Sequence, residues 1–493
     1  MVLQPLPPNP DPPATEILVY QNVIAFLSNA CPQTSQNADE VQGVQRTLDG
    51  YLLSMSSESL VGAIVNSLRH RTMLLELCSQ LGLANDPTLR AALRTDGERL
   101  AAHLVSIFES NSLETTALGL EGDSAQCFID AVQDALDKGF LMAHEQSSKA
   151  RRIIRKLSES CDKLPTSLFI IGVDGREEHP TFGGGFGDIY RASYNCQVVA
   201  LKHMRHFLRG TDLRRIREKF CREALLWKDL HHPHTLTFIG IDRESFPSSL
   251  CMVSPWMEHG TILNYLNAHG RANIGKLLFE VAQGLEYLHS NDIVHGDLRG
   301  ANILINQDWS ACLADFGLSG FSDATANQTS SKRAGSIYWM APELLAPEQF
   351  KTRFTRTPAS DVYAFACVCL ELYTGHPPFS ELSEVTAMLK IIAGERAKQP
   401  SDGTLPDPLW QDVTSYWAQD PTVRPISKAV VQNMIRPAAE RKNPVPFPIP
   451  DVRTFEGFHQ NGKKSSIPPA HELIRSTTYK PRIGKSRPSL SFH

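Results

Sequence analysis

The sequence predicts an α+β domain in the middle of the chain, with an all-α region before it and a disordered tail after it. Between residues 15 and 160, apolar residues recur at three-, four- and seven-residue steps, the spacing of amphipathic helices. At residue 165 the pattern changes to short β-type runs, SLFIIGV and QVVALK, which flank a glycine-rich segment. After Arg436, prolines recur without any helical period. A chain of 493 residues, at about 150 residues a domain, accommodates this division.

The all-α region, residues 15–160, has recognisable helix boundaries. It follows 14 residues that contain six prolines and are expected to be disordered. Asp86-Pro87 supplies a cap and a proline at the first helical position, and Ser124 is the expected cap of a later helix. The last helix, at 145–160, is basic, which indicates an acidic docking site, a lipid surface or, more commonly, a solvated face. We expect the region to be regulatory and to offer a site for a partner protein.

Composition argues against several classes of function. The net charge of −4 argues against nucleic acid as the main partner, and no apolar run approaches the roughly 18 residues of a membrane span. The densest run, YAFACVCLELY at 363–373, predicts a buried helix. Ten scattered cysteines without metal-binding spacing predict free thiols in a reducing cytoplasm. The tail, 437–493, holds ten Lys/Arg against four Asp/Glu and should be disordered.

Five polar or charged groups follow one another in a fixed order within the central domain. They are Lys202 in VVALK, Glu223 in FCREAL, Asp297 and Asn302 in HGDLRGAN, and Asp315 in DFG, with APE at 341–343 downstream. Each motif is weak alone, but the ordered set is the protein-kinase signature. Residues 168–436 therefore resemble the protein kinases, most closely the tyrosine-kinase-like group with an HGDL(K/R)GAN loop. The resemblance implies a bilobal kinase fold, with a small β-rich N-lobe and a larger helical C-lobe.

The resemblance also implies an ATP site between the lobes. Backbone amides of a glycine-rich hairpin would approach the phosphates, and Lys202, paired with Glu223, would face them. Phe182 replaces the first glycine of the family pattern, so we expect reshaped or weakened ATP binding rather than its loss. The remaining residues implied for ATP are the glycines Gly183, Gly184, Gly185 and Gly187, the adenine contacts Ile189, Ala200 and Leu304, and the hinge residues Ser254, Pro255 and Met257.

The implied chemistry lies in the HGDLRGAN and DFG motifs. By resemblance, Asp297 orients the acceptor hydroxyl and takes its proton, and Asn302 and Asp315 hold Mg²⁺. Arg299 stands where Ser/Thr kinases usually have a lysine beside the γ-phosphate. Gly296 replaces an arginine that normally meets a phosphate on the activation loop, which argues against switching mainly through Thr329–Ser331.

Three further expectations concern structure and specificity. Glu343 should pair with Arg424, and Asp361 should anchor the catalytic loop from beneath. The segment GSIYWMAPE, from Gly335, resembles the substrate loop of Ser/Thr-directed kinases. These features favour an ATP- and Mg²⁺-dependent enzyme that acts on Ser/Thr hydroxyls of proteins in cytoplasmic signalling. The alternatives are a pseudokinase scaffold that binds partners without turnover and a tyrosine-directed kinase.

Overall fold

The computed structural model describes residues 19–34, 38–56, 59–184, 187–203, 211–246, 249–316, 337–401 and 403–435. Several predictions fall outside this part of the chain: the Pro-rich start at 1–14, the tail at 437–493, Gly185, the acceptors Thr329–Ser331, and Ser336. The nine cysteines from Cys78 to Cys369 are free thiols, as predicted. None of the helices in these ranges is long and apolar enough to cross a membrane.

The all-α region is confirmed as a layered set of helices. Its core forms where α1 packs on α4, α3 on α6, and α6 on α7. Asp86 caps α4 as predicted, since its side chain accepts a hydrogen bond from the backbone N–H of Thr88 at 2.7 Å. The Ser124 cap is wrong, because α6 already begins at Gly122 and Ser124 lies in its first turn. The helices are α1 (Gln21–Thr34), α2 (Ala38–Ser56), α3 (Leu60–Gln80), α4 (Pro87–Glu109), α5 (Asn111–Leu118), α6 (Gly122–Asp137) and α7 (His144–Cys161).

The small lobe is an antiparallel sheet with one helix. Its six described strands run in the order β1-β3-β4-β6-β5, with β2 paired to β3. The predicted strand QVVALK is confirmed as β4, and all five residues of β6 are at least half-buried, as expected for a strand leading to the hinge. The elements are β1 (Val173–Asp174), β2 (Phe182–Gly184), β3 (Gly187–Tyr194), β4 (Gln197–His203), helix α8 (Thr211–Trp227), β5 (Gly240–Asp242) and β6 (Cys251–Pro255).

The large lobe is mainly helical and is organised around one buried helix. The predicted apolar helix at 363–373 lies inside α12, which has a capping box at Thr357 and nearly every residue buried. Two short strands, β7 (Ile303–Ile305) and β8 (Ala311–Leu313), pair beneath the cleft. The helices are α9 (Ile262–His269), α10 (Ile274–Ser290), α11 (Pro342–Leu345), α12 (Pro358–Thr374), α13 (Glu384–Ile392), α14 (Asp407–Tyr416) and α15 (Ser427–Ile435). The bilobal α+β prediction is confirmed.

Candidate active site

The register of the small-lobe sheet places several predicted residues on one face. Directly opposed residues of antiparallel strands point to the same side. Ile189 on β3 is opposite Lys202 on β4, and Ala200 on β4 is opposite Ser254 on β6. Since Ala200 and Lys202 are two positions apart, all four side chains share a face. The other face carries a separate apolar cluster that includes Val199.

Lys202 joins the two lobes through a buried charge network. Its Nζ lies 2.7 Å from Glu223 Oε1 on α8 and 2.6 Å from Asp315 Oδ1 in the large lobe. Burial alone would lower the pKa of Lys202, but the charges of Asp315 and Glu223 outweigh it and raise that pKa. Burial would likewise raise the pKa of Asp315, and the contact with Lys202 instead holds it below its usual value. The ammonium and the carboxylate are therefore both charged at neutral pH.

The catalytic loop brings Asp297 and Asn302 together. The Asn302 side-chain Nδ2 donates to the backbone oxygen of Asp297 at 2.7 Å and to its carboxylate Oδ2 at 3.0 Å. Arg299 approaches the same carboxylate, with Nε 3.5 Å from Oδ2. Asp297 is thus held by an amide on one side and a cation on the other, while part of its side chain stays accessible.

Asp361 anchors this loop from beneath, as predicted. Its two carboxylate oxygens accept the backbone N–H groups of His295 at 2.7 Å and of Gly296 at 2.8 Å. The His289 ring contacts the same carboxylate at 2.9 Å. Gly296 has φ 76°, in the left-handed region that glycine adopts without steric cost. Glycine at position 296, in place of the family's arginine, therefore also suits the backbone conformation of the loop.

A second anchor, Glu371, was missed by the sequence analysis. This buried carboxylate on α12 accepts the Gly300 backbone N–H and the Trp339 indole Nε1–H, each at 2.9 Å. Burial raises its pKa, although both hydrogen bonds oppose that shift. A Cβ on Gly300 would lie 2.9 Å from Leu263, so only glycine fits this approach. The signal available in the sequence was that Glu371 is the one acid within the apolar run at 363–373.

An aromatic column, also unanticipated, connects the lobes. Phe316 of the DFG motif lies between Trp227 on α8, with ring centroids 6.2 Å apart, and His295, at 6.3 Å. Phe238 extends the column at 5.5 Å from Trp227. Burial lowers the pKa of His295, which favours the neutral ring. The position of α8 is thereby linked to both the DFG motif and the catalytic loop.

Phe182, the departure from the glycine pattern, has a defined contact. Its ring stacks on Trp256 of the hinge, with centroids 6.1 Å apart and planes inclined by 24°. Arg191 lies over the same indole at 5.6 Å, and its guanidinium is 3.7 Å from Glu258. Phe182 is opposite Ile189, so it belongs to the cleft-facing side of the sheet. The aromatic side chain therefore ties the glycine-rich strand to the hinge.

The remaining predicted residues lie along the same cleft. Within the described hairpin, Gly183 pairs with Asp188 and Gly184 with Gly187. The half-buried Leu304 lies between two buried neighbours on β7. Pro255 is the last residue of β6 and Met257 follows the strand; both are half-buried. Deeper in the large lobe, the predicted pair forms a two-pronged bridge: the Arg424 guanidinium contacts the two Glu343 carboxylate oxygens at 2.6 and 2.7 Å.

Comparison with protein families decides the identity of the domain. Residues 180–434, slightly more than half of the chain, match the family described as protein tyrosine and serine/threonine kinase. The chain belongs to the protein kinase family. The match begins just before the glycine-rich strand and ends within α15, so it covers every predicted catalytic residue.

Curated relatives of this kinase share more than the catalytic domain in some cases. The serine/threonine-protein kinase STY46 of Arabidopsis thaliana is 27% identical over 375 residues, which cover 74% of this chain and 61% of the relative. The serine/threonine-protein kinase TNNI3K of Mus musculus is 31% identical over 282 residues, 55% of this chain and 32% of the relative. The chain thus spans at most about three fifths of these relatives. They belong to the tyrosine-kinase-like group, as the motifs indicated.

Proposed function

We propose that this kinase transfers the γ-phosphoryl group of ATP to Ser or Thr hydroxyls of protein substrates. The observation that carries the proposal is the buried Glu223–Lys202–Asp315 network, at 2.7 and 2.6 Å. A second large-lobe carboxylate, Asp297, is oriented by Asn302. Phosphoryl transfer needs this combination of a fixed cation, a metal-binding carboxylate and a positioned base, and little covalent chemistry from the protein.

The residues present fit ATP and a divalent cation, which the family uses in general. The Lys202 ammonium has three N–H donors and uses two for carboxylates, so one can reach a phosphate oxygen. Asn302 bonds to Asp297 through Nδ2, which makes Oδ1 the atom that could ligate a cation together with the Asp315 carboxylate. Two hard oxygen ligands from the protein, completed by phosphates and water, suit Mg²⁺, which would neutralise phosphate charge.

Each residue then has one task in the reaction. Lys202 holds the α- and β-phosphates, and Asp297 orients the acceptor hydroxyl and accepts its proton. The acceptor oxygen forms a bond to the γ-phosphorus as the bond to the bridging oxygen of ADP breaks. Arg299, beside Asp297, would place positive charge where the γ-phosphate carries negative charge. Ile189, Ala200 and Leu304 would enclose the adenine, whose edge meets the hinge at Ser254, Pro255 and Met257.

Specificity for Ser and Thr is supported by the names of the relatives and by the segment from Gly335, which resembles the substrate loop of Ser/Thr-directed kinases. The relatives STY46 and TNNI3K are both named serine/threonine-protein kinases. In this chain, the segment after the activation loop is fixed by its aromatic residues: Trp339 donates to Glu371, and the Tyr338 hydroxyl donates to the backbone oxygen of Leu382 at 3.0 Å. A substrate loop held in this way supports a defined acceptor geometry. We place the reaction in cytoplasmic signalling.

Incubation of the purified full chain with Mg-ATP, followed by mass spectrometry of phosphorylated residues, tests the proposal. We expect phosphoserine and phosphothreonine in the parent. In Asp297→Asn, where the base is lost at nearly constant shape, we expect a fall of roughly 10²–10⁴ in rate. Asp308→Asn, the same change in an exposed turn, is the matched control and should retain parental turnover.

Three outcomes would contradict parts of the proposal. Equal turnover in Asp297→Asn and Asp308→Asn would remove Asp297 from catalysis. Phosphotyrosine alone would indicate a tyrosine-directed enzyme. Binding of ATP without any phosphorylated product, either on the chain or on a mixed peptide library, would instead support the pseudokinase alternative.

A further inference from the structure

Helix α7 of the N-terminal region lies antiparallel to helix α8 of the kinase domain. Three ion pairs join the two elements or the residues that directly follow them, and residue numbers fall along α7 as they rise along α8. The pairs are Arg217–Asp162 at 2.7 Å, Arg222–Glu159 at 2.9 Å and Arg151–Asp229 at 2.9 Å. Arg222–Glu159 is the most shielded of the three, with side chains 29% and 26% exposed.

Small residues line the contact between these ion pairs. Ser158 lies seven positions after Arg151 and four before Asp162, so it shares the face of α7 that carries the ion pairs. It is fully buried, and its hydroxyl has no hydrogen-bond partner among the described residues. On α8, Cys221 and Ala224 are buried. Small buried side chains on both helices suit the packing of α7 against α8.

The opposite side of α8 carries groups of the active site. Glu223 pairs with Lys202, and one turn later Trp227 packs on Phe316. Because a helix moves as a rigid element, a displacement at Arg222 or Ala224 would also displace Glu223 and Trp227. One apolar core runs from Ile154 and Leu157 of α7 into Phe220 of α8 without interruption.

The basic surface of α7 is largely used within the molecule. Arg151 pairs with Asp229, and Arg152 and Lys156 lie 2.7 and 3.8 Å from Glu114 on α5. These contacts give Arg151, Arg152 and Lys156 acidic partners within the molecule. They also fix the roll of α7 about its axis, and hence the face that meets α8.

We propose that Ser158, Glu159 and Arg222 are positioning residues for phosphoryl transfer. Through them, the N-terminal helical region holds α8 where Glu223 can reach Lys202. The inference rests on the proposed kinase activity and assigns that region a role in the catalytic site itself. The three residues lie at the contact between α7 and α8, away from the reacting groups, so their effect passes through Glu223.

A charge swap tests the ion pair in the full-length chain. Glu159→Arg places two cations together and should lower kcat/KM for ATP by roughly three- to tenfold. Arg222→Glu alone should do the same, and the double variant Glu159→Arg/Arg222→Glu should recover most of the loss. Glu98→Arg, which reverses one partner of the exposed Arg94–Glu98 pair on α4, is the matched control and should have no effect.

Two substitutions at Ser158 test the close approach. Ser158→Ala keeps the small size of the side chain and removes only a hydroxyl that has no hydrogen-bond partner among the described residues, so it should retain parental kcat/KM. Ser158→Leu adds volume between the helices and should lower kcat/KM at least tenfold, measured well below the melting temperature of the variant. A lower melting temperature with parental kcat/KM in Ser158→Leu and in Glu159→Arg would indicate a purely structural role and overturn the proposal.

Titration with Mg-ATP separates this proposal from the proposed function. If the parent binds ATP but transfers no phosphoryl group, the proposed function fails, and the positioning role is judged by affinity. Weaker binding in Glu159→Arg that is restored in the double variant would support the role. Equal affinities in the parent, Glu159→Arg and Ser158→Leu would overturn it.

Discussion

The two lobes hold their catalytic groups in contrasting ways. In the large lobe, the catalytic loop is hydrogen-bonded to buried carboxylates of α12, Asp361 and Glu371, which belong to the kinase fold. In the small lobe, Glu223 lies on a helix whose other side meets α7, an element outside that fold. The first arrangement ties the loop to a helix buried in the core of its lobe. The second makes the Lys202–Glu223 pair dependent on a region that can differ between kinases.

The largest effect on stability should come from the buried bridge of the large lobe. Arg424 is fully buried and Glu343 nearly so, and removal of one partner leaves an uncompensated buried charge. Glu343→Gln should therefore lower the free energy of unfolding by about 3–5 kcal/mol, measured by denaturant unfolding. A loss of under about 1 kcal/mol would mean that this lobe is not held by buried charge.

Glu223→Gln should show the reverse profile, with activity affected more than stability. Lys202 keeps its contact with Asp315, so the fold should persist, while the ammonium loses the carboxylate that positions it. We expect kcat/KM to fall by roughly 10–100-fold, with a melting temperature close to that of the parent. Parental turnover would show that the small-lobe pair is not part of the catalytic machinery.

Phe182→Ala should have a smaller effect, confined to nucleotide binding. An aromatic pair contributes about 0.5–1.5 kcal/mol, so loss of the stack on Trp256 should raise the KM for ATP by roughly two- to tenfold. The value of kcat should stay near that of the parent. Phe182→Tyr preserves the stack and is the control. If Phe182→Ala instead binds ATP more tightly, the aromatic residue obstructs the site.

The smallest expected effect concerns pH. The folded-state pKa of Asp315 lies below its usual value, so its ionised form stabilises the fold at neutral pH. This contribution is present above the unfolded-state pKa, about 3.9, and is lost as pH falls through the lower folded-state value. Asp315→Asn should have a lower melting temperature than the parent at pH 7. This difference in melting temperature should become smaller below about pH 4. If the difference in melting temperature does not change with pH, it arises from packing rather than from the charge of Asp315.

The sequence predicted those parts of the site that depend on fixed motifs. Lys202 and Glu223, 21 residues apart, are in contact, and Glu343 meets Arg424 across 81 positions. Asp361 holds the catalytic loop as expected. These predictions succeeded because a family signature fixes order and role together, even where no local spacing rule applies. The roles of the individual site residues remain predictions.

The contacts that the sequence did not reveal join elements without a shared motif. The acids that pair with α7 lie on α5 and just after α8, and nothing in the basic run at 145–160 identifies them. Phe182 was recognised only as a departure from the glycine pattern, because its partner Trp256 is 74 residues away and belongs to no motif. Glu371 was hidden within a run judged by its apolar character. Tertiary packing, rather than the local sequence pattern, determines each of these contacts.

Hydrogen exchange in one variant tests the contrast between the two lobes most directly. In Ser158→Leu, the backbone amides of α8 should exchange faster than in the parent, because the face of α8 that meets α7 is displaced. The amides of His295 and Gly296 should exchange at parental rates, since Asp361 continues to hold them. Faster exchange at both places, or at neither, would contradict the account in which α7 supports the small-lobe pair alone.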